Sequence, residues 1–194
     1  MKIVAALLLI IGLADRKATA QVVENPKVVC DLLDRIGGAG TAERILTVID
    51  PAVASAGKEA FVLMAQDGKP CIKGSNVSAL TTGVNWYLNH VNIAWNNLTT
   101  DLSKVELPAP TKQEKHTTAV GYRYYLNYCT FSYSMSTWTW ERWQKEIDWM
   151  ALHGINMPLQ MVGLDVVWKN LLTKDLGYTD NEANAFIAGP CFQA

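Results

Sequence analysis

The chain has 194 residues, with 17 basic and 18 acidic side chains, 49% apolar residues and four cysteines. It is too apolar and too sparsely charged for a disordered tail, it shows no collagen or solenoid repeat, and its net charge of −1 offers nothing to a nucleic-acid backbone. The aromatic residues are unevenly spread: of 18 in the chain, ten fall between positions 121 and 150.

Met1-Lys2 leads into a twelve-residue apolar run, Ile3 to Ala14. That run is shorter than the roughly 20 residues a membrane-spanning helix needs. It is followed by Ala18-Thr19-Ala20, the small-x-small arrangement of a signal-peptidase site. Residues 1–20 are therefore expected to be a secretory signal cleaved before Gln21. A buried N-terminal helix is the plainer alternative. The mature part then carries 14 basic and 17 acidic residues, a net charge of −3, with no stable membrane span. The expected location is outside the cytoplasm, periplasmic or extracellular in a bacterium. Cys30, Cys71, Cys129 and Cys191 are spaced by 41, 58 and 62 residues, unlike the close pairs of a zinc site. Disulfides are possible in an exported chain, but so dispersed a set reads more readily as buried free thiols. Two glycosylation sequons occur, at Asn76 and Asn97.

Residues 21–107 read as a small α/β unit. Asn25-Pro26 supplies a helix start, Val29, Leu32, Leu33 and Ile36 recur at helical spacing, and Gly37-Gly38 ends the helix. Arg44–Ile49 and Ala60–Met64 have strand character, Asp67-Gly68 is a hairpin turn, and Pro70–Lys73 is the returning strand. Ser75 or Asn76 caps a second helix running to about His90, with Leu80, Val84, Tyr87 and Leu88 on its buried face. The order predicts a short antiparallel sheet with helices on one side.

Two prolines and a polar stretch make residues 108–118 an expected inter-domain linker. Beyond it, Tyr122–Phe131 is a β-prone aromatic run, Thr137–His153 is helical, Gly154 stops that helix, Ile155–Val162 is a second apolar strand, and Leu164–Leu176 is a further helix. Strand, helix, strand, helix is the opening rhythm of a parallel βαβ fold, with a (β/α)₈ TIM barrel the natural candidate. A barrel typically takes about 250 residues. Only 74 follow residue 120, so residues 119–194 are expected to be its beginning and not the whole. The predicted class is thus α/β: a small α+β N-terminal domain followed by the first βαβα units of a truncated barrel. Such a quarter-barrel, with open edges, is expected to aggregate or to stay partly disordered beyond residue 120.

The run Tyr122-Arg123-Tyr124-Tyr125-Leu126-Asn127-Tyr128-Cys129-Thr130-Phe131-Ser132-Tyr133-Ser134 resembles the first barrel strand of the α-N-acetylglucosaminidases, glycoside hydrolase family 89. The likeness continues through Trp140-Glu141-Arg142-Trp143, Glu146–Leu152 and Gly154–Leu159, and resumes at Phe186–Ala194. The preceding unit matches in order too, including Tyr87-Leu88 and Trp95-Asn96. The resemblance implies release of terminal α-linked GlcNAc by a retaining mechanism with a covalent glycosyl-enzyme. It also implies that its two glutamates lie on later strands, beyond residue 194. For a eukaryotic chain the resemblance implies the lysosome. Such a mechanism needs two carboxyl groups about 5 Å apart. Glu141, Glu146 and Asp148 lie on or near a helix away from the strand ends, and Asp165 follows the second strand. None is therefore assigned a catalytic role.

By the same resemblance, Asn127 and Cys129 line the sugar pocket and Tyr133 lies close by. The residues fit that use. A strand end in a barrel is the active-site end, and alternate residues Asn127 and Cys129 would share a face. An amide can donate to and accept from sugar hydroxyls, and a tyrosine offers an apolar face with a hydroxyl at its rim. Each also has an ordinary structural use open to it: Asn127 as a turn residue, Cys129 as a buried thiol, Tyr133 as packing.

Trp140, Trp143, Ile147 and Met150 form an apolar helix face expected to pack on the barrel. Glu141, Arg142, Lys145 and Glu146 are expected to be a solvated face with a Glu141–Lys145 pair. Thr137, Thr139, His153, Gln160 and Cys191 depart from the family's usual residues, leaving fine substrate preference open. No metal or other cofactor is expected: the three histidines are scattered, and no phosphate loop or dinucleotide fingerprint occurs. The expected partners are terminal GlcNAc-bearing glycans or glycosaminoglycans. A non-catalytic glycan-binding or structural remnant of the family is the alternative.

Overall fold

The computed structural model describes residues 21–90, 102–159 and 163–187. The expected signal peptide, the Asn97 sequon, Trp95-Asn96, Gln160, Cys191 and most of the 186–194 motif lie outside the described residues.

The N-terminal domain is a five-stranded sheet with two helices. Its elements are β1 (Val23–Glu24), α1 (Lys27–Gly37), β2 (Leu46–Ile49), β3 (Ala60–Gln66), β4 (Lys69–Gly74), α2 (Val77–His90) and β5 (Glu114–Thr117). The order across the sheet is β1-β2-β4-β3-β5. The sheet is mixed, not antiparallel as expected, because the β3–β4 hairpin returns β4 alongside β2 in the same direction. Both turn residues, Asp67 and Gly68, have positive φ (51° and 72°), which is the twist a two-residue hairpin requires. Pro26, not Asn25, occupies the N-cap position of α1 and makes no side-chain cap bond; Asn25 sits one residue outside, and its Oδ1 accepts from the Thr47 amide at 3.2 Å. Asn76 does cap α2, with Oδ1 accepting from the Ala79 amide at 2.9 Å. Its Nδ2 donates to Glu59 at 2.9 Å, so this sequon asparagine is built into the fold.

The core lies between the sheet and both helices. Val29, Leu33 and Ile36 of α1 and Leu80, Val84, Tyr87 and Leu88 of α2 close over Leu63 and Ile72 of the sheet. Burial raises the Tyr87 phenol well above the usual tyrosine range, and its hydroxyl donates to the Pro108 carbonyl at 3.0 Å. The segment 108–118, expected to be a linker, is partly sheet: β5 pairs antiparallel with β3, from Ala60↔Thr117 to Leu63↔Glu114. Its polar Glu-Lys-His-Thr sequence is tolerable there because an edge strand has one side open to water.

The second unit is a βαβ beginning: β6 (Tyr124–Tyr125), α3 (Trp140–Leu152) and β7 (Met157–Pro158), followed by α4 (Leu164–Asn170), a π-helical turn Leu171–Asp175 and α5 (Asp180–Ile187). Strands β6 and β7 pair in parallel, Tyr124 opposite Met157. This is the partial barrel read from the sequence. It is seated on the N-terminal domain by α3. Leu152 is fully buried in that domain's core, with Trp149 and Ala151 against it. The Arg35 guanidinium grips both Asp148 oxygens at 2.7 and 2.9 Å, and Thr81 Oγ1 donates to the Ala151 carbonyl at 2.6 Å.

Candidate functional site

The β-prone run Tyr122–Phe131 forms a far shorter strand than expected. Leu126 has φ 74°, a conformation costly for a residue with a Cβ, and it turns the chain out of β6 after Tyr125. Asn127 Oδ1 then accepts from the amides of Cys129 (2.9 Å) and Thr130 (3.2 Å), and Thr130 Oγ1 donates to the Asn127 carbonyl at 2.7 Å. A short polar side chain that satisfies local amides competes with strand pairing. A 3₁₀ turn, Thr130–Ser132, follows. Asn127 and Cys129 are therefore not alternate residues of one strand, and the argument that they share a strand face does not hold.

All three expected site residues nonetheless lie in the loop after the C-terminal end of β6, and all three are exposed. Asn127 borders an open hollow of about 530 Å³ together with Tyr124, Tyr125, Thr130, Trp138, Arg142 and Glu146. Cys129 and Tyr133 do not line it, and Tyr133 is 77% exposed. Cys129 is an exposed free thiol, not a buried one; Cys71 is the buried thiol and Cys30 is half-buried.

The polar floor of this hollow was not anticipated. Glu146, expected on a solvated face, is only 8% exposed. It accepts from the Tyr125 hydroxyl at 2.9 Å and from Arg142 at 2.8 Å, and Arg142 lies 3.8 Å over the Trp138 ring. The pair on α3 is thus Arg142–Glu146, in place of the expected Glu141–Lys145. Burial, then the hydrogen bond to Glu146, pushes the Tyr125 phenol up. The i,i+4 spacing of Arg142 and Glu146 was visible in the sequence, but their approach to Tyr125 depends on the βαβ packing. Glu141 is exposed, and the Thr139 hydroxyl and the backbone at Glu141 hold its carboxyl below the usual range. Asp148, 6% exposed, is committed to Arg35, and Asp165 is exposed on α4.

Beside the hollow, Trp140, Trp143, Ile147 and Met150 line a second, apolar cleft of about 470 Å³ with Leu126, Phe131 and Pro158. The face expected to be core is therefore only half covered: Met150 is buried, but Trp140 is 64% exposed. Among the described residues no three His, Cys, Asp or Glu gather as a metal site, and no helix is long and apolar enough to cross a membrane.

Residues 27–109 match the model of the alpha-N-acetylglucosaminidase (NAGLU) N-terminal domain, and residues 123–194 match that of its tim-barrel domain. The human alpha-N-acetylglucosaminidase is 40% identical over 126 residues, 63% of this chain and 17% of that protein. A family 89 glycoside hydrolase from Clostridium perfringens, in complex with 2-acetamido-1,2-dideoxynojirmycin, superposes with a TM-score of 0.73 at 30% identity, over 87% of this chain and 19% of that one. A variant of the Clostridium perfringens enzyme in complex with its substrate GlcNAc-α-1,4-galactose gives 0.72 over the same shares. The chain therefore spans less than a fifth of the length of these relatives. With its N-terminal domain and the start of its barrel both matched in order, the chain belongs to the α-N-acetylglucosaminidase family, glycoside hydrolase family 89.

Proposed function

We propose that this chain supplies the N-terminal part of an exported α-N-acetylglucosaminidase acting on terminal α-linked GlcNAc, with Asn127, Cys129 and Tyr133 on the sugar-facing rim. The observation that carries the reading is the position of the Asn127 loop, directly after the C-terminal end of the first parallel strand, where barrel enzymes hold substrate. The two carboxylates of a retaining mechanism come from later strands, which also cover the apolar cleft along Trp140 and Ile147. Residues 1–20 direct export and are removed before Gln21. A non-catalytic glycan-binding role is the second reading, favoured by the exposed rings of Tyr128 and Tyr133 in the loop that carries Asn127.

The test combines binding and complementation. The 194-residue chain is titrated with GlcNAc-α-1,4-galactose and assayed for GlcNAc release, alone and with the remaining four-fifths of a family 89 enzyme. Release only in the mixture, lost with Asn127→Ala, is expected. Release by the chain alone would overturn the placement of the carboxylates. Saturable binding without release in the mixture would favour the second reading, and neither binding nor release would overturn the sugar site.

A further inference from the structure

We propose that Arg123 is a positioning residue through which the N-terminal domain sets the geometry of the Asn127 turn. This rests on reading that turn as sugar-facing, although the coupling itself stands on separate observations. The Arg123 guanidinium serves both units at once. Its Nη2 donates to the Glu59 carboxylate and to Ser78 Oγ (3.0 Å), both in the N-terminal domain. Its Nε donates to the Gly154 carbonyl just after α3, and its Nη1 to the Val120 carbonyl at 2.9 Å. Its backbone holds the strand pair together: the Arg123 amide donates to Asn156 Oδ1 at 2.9 Å, and its carbonyl accepts from the amides of Asn156 and Met157 at 3.3 Å.

Two of the partners, Glu59 and Gly154, are themselves held in place. Glu59 accepts from Asn76, the cap of α2. Gly154 has φ 70°, and a Cβ there would stand 2.7 Å from Thr82 Oγ1, so the end of α3 meets α2 without room to shift. Only the two residues of β6 and Leu126 separate this clamp from Asn127, a reach of at most about 13 Å. So short a strand has little ladder of its own to set its position, so the clamp sets it. A lysine could not replace Arg123, because one ammonium cannot serve a carboxylate, a hydroxyl and two carbonyls in a planar fork.

The test uses the 194-residue chain with Arg123→Lys, Glu59→Gln and the core control Val84→Ala, each studied at the same interval below its own melting temperature. The amides of Cys129 and Thr130, held by Asn127 Oδ1, report on the turn by hydrogen exchange, and Cys129 reports by alkylation followed peptide by peptide. Exchange at these amides should rise about tenfold in Arg123→Lys, and less in Glu59→Gln, with Val84→Ala unchanged. Turn exchange unaltered in both charge variants, or raised equally in Val84→Ala, would overturn the proposal. If Arg123→Lys does not fold, Glu59→Gln decides by the same criterion. A raised turn exchange in a chain that fails to bind GlcNAc-α-1,4-galactose would uphold the coupling while refuting the sugar-site reading.

Discussion

Leu152 lies in the second unit of the chain, yet it is 0% exposed within the core of the first, whereas Ile147 of the same helix is 45% exposed in the open cleft. Leu152→Ala deletes methyl and methylene groups worth about 0.8 kcal/mol each and leaves a cavity in the core cluster that Leu152 shares with Leu33 and Leu80, together about 3 kcal/mol. With a urea slope of about 1.5 kcal/mol/M for a unit of this size, the unfolding midpoint should fall by about 2 M. Ile147→Ala removes a side chain that is already half in water, and should cost less than about 1 kcal/mol. Urea titration followed by circular dichroism measures both. An unchanged midpoint for Leu152→Ala, or equal shifts for the two variants, would refute the claim that α3 belongs to the cooperative unit of the N-terminal domain. It would favour the expectation of disorder beyond residue 120.

The ion pair between the units should respond unequally to loss of either member. Arg35→Met strands the buried Asp148 carboxylate and should cost about 3 kcal/mol, while Asp148→Leu frees an arginine that can reach water and should cost about 1 kcal/mol; equal losses in thermal melts would contradict this. Burial raises the Tyr87 phenol, and burial with Glu146 raises that of Tyr125. Both groups add stability that is complete below the ordinary tyrosine value of about 10 and is lost as pH rises beyond it. Tyr87→Phe should flatten that alkaline loss while costing about 1 kcal/mol at neutral pH through the lost bond to Pro108, and an unchanged alkaline limb would count against it. In the native chain alkylation should reach Cys129 first, Cys30 more slowly, and Cys71 only on unfolding, since Cys129 is exposed and burial raises the other two thiols. Peptide mapping that finds Cys71 modified early would show the hairpin core to be open.

The N-terminal domain was legible wherever one local rule decided the outcome. The α2 helix carries its period and its buried face within fourteen residues and its cap in Asn76 just before them, and the Asp67-Gly68 turn needs nothing beyond itself. What escaped was decided by distant partners. The parallel pairing of β2 with β4 follows from where a hairpin inserts, and β5 exists because β3 offers it an edge. At the candidate site the sequence did not foretell the backbone of the loop that carries Asn127. A run rich in tyrosine argues for strand, and nothing in it announces that Leu126 will adopt a left-handed conformation or that Asn127 Oδ1 will accept from the amides of Cys129 and Thr130.

Helix α3 explains both the misreading and the architecture. A helix with one buried face shows a single apolar stripe, and the Trp140–Trp143–Ile147–Met150 series is one. Yet the side of α3 carrying Asp148 and Leu152 is buried as well, against the N-terminal domain, while Glu146 is buried toward Tyr125. Residues two apart on a helix point in nearly opposite directions. Glu146 and Asp148 are therefore drawn to different partners, one in the barrel strand and one in the preceding domain. Of the two, only Glu146 is expected from the sequence on a solvated face, yet both are buried, each paired with an arginine in hydrogen-bonding range, Arg142 or Arg35, instead of with water. A carboxylate buried at such a junction is costly unless it is paired. The Arg35–Asp148 pair therefore ties one side of α3 to the preceding domain, the Tyr125–Glu146 hydrogen bond ties another to β6, and together they fix the rotation of the helix between that domain and the strand whose end carries Asn127.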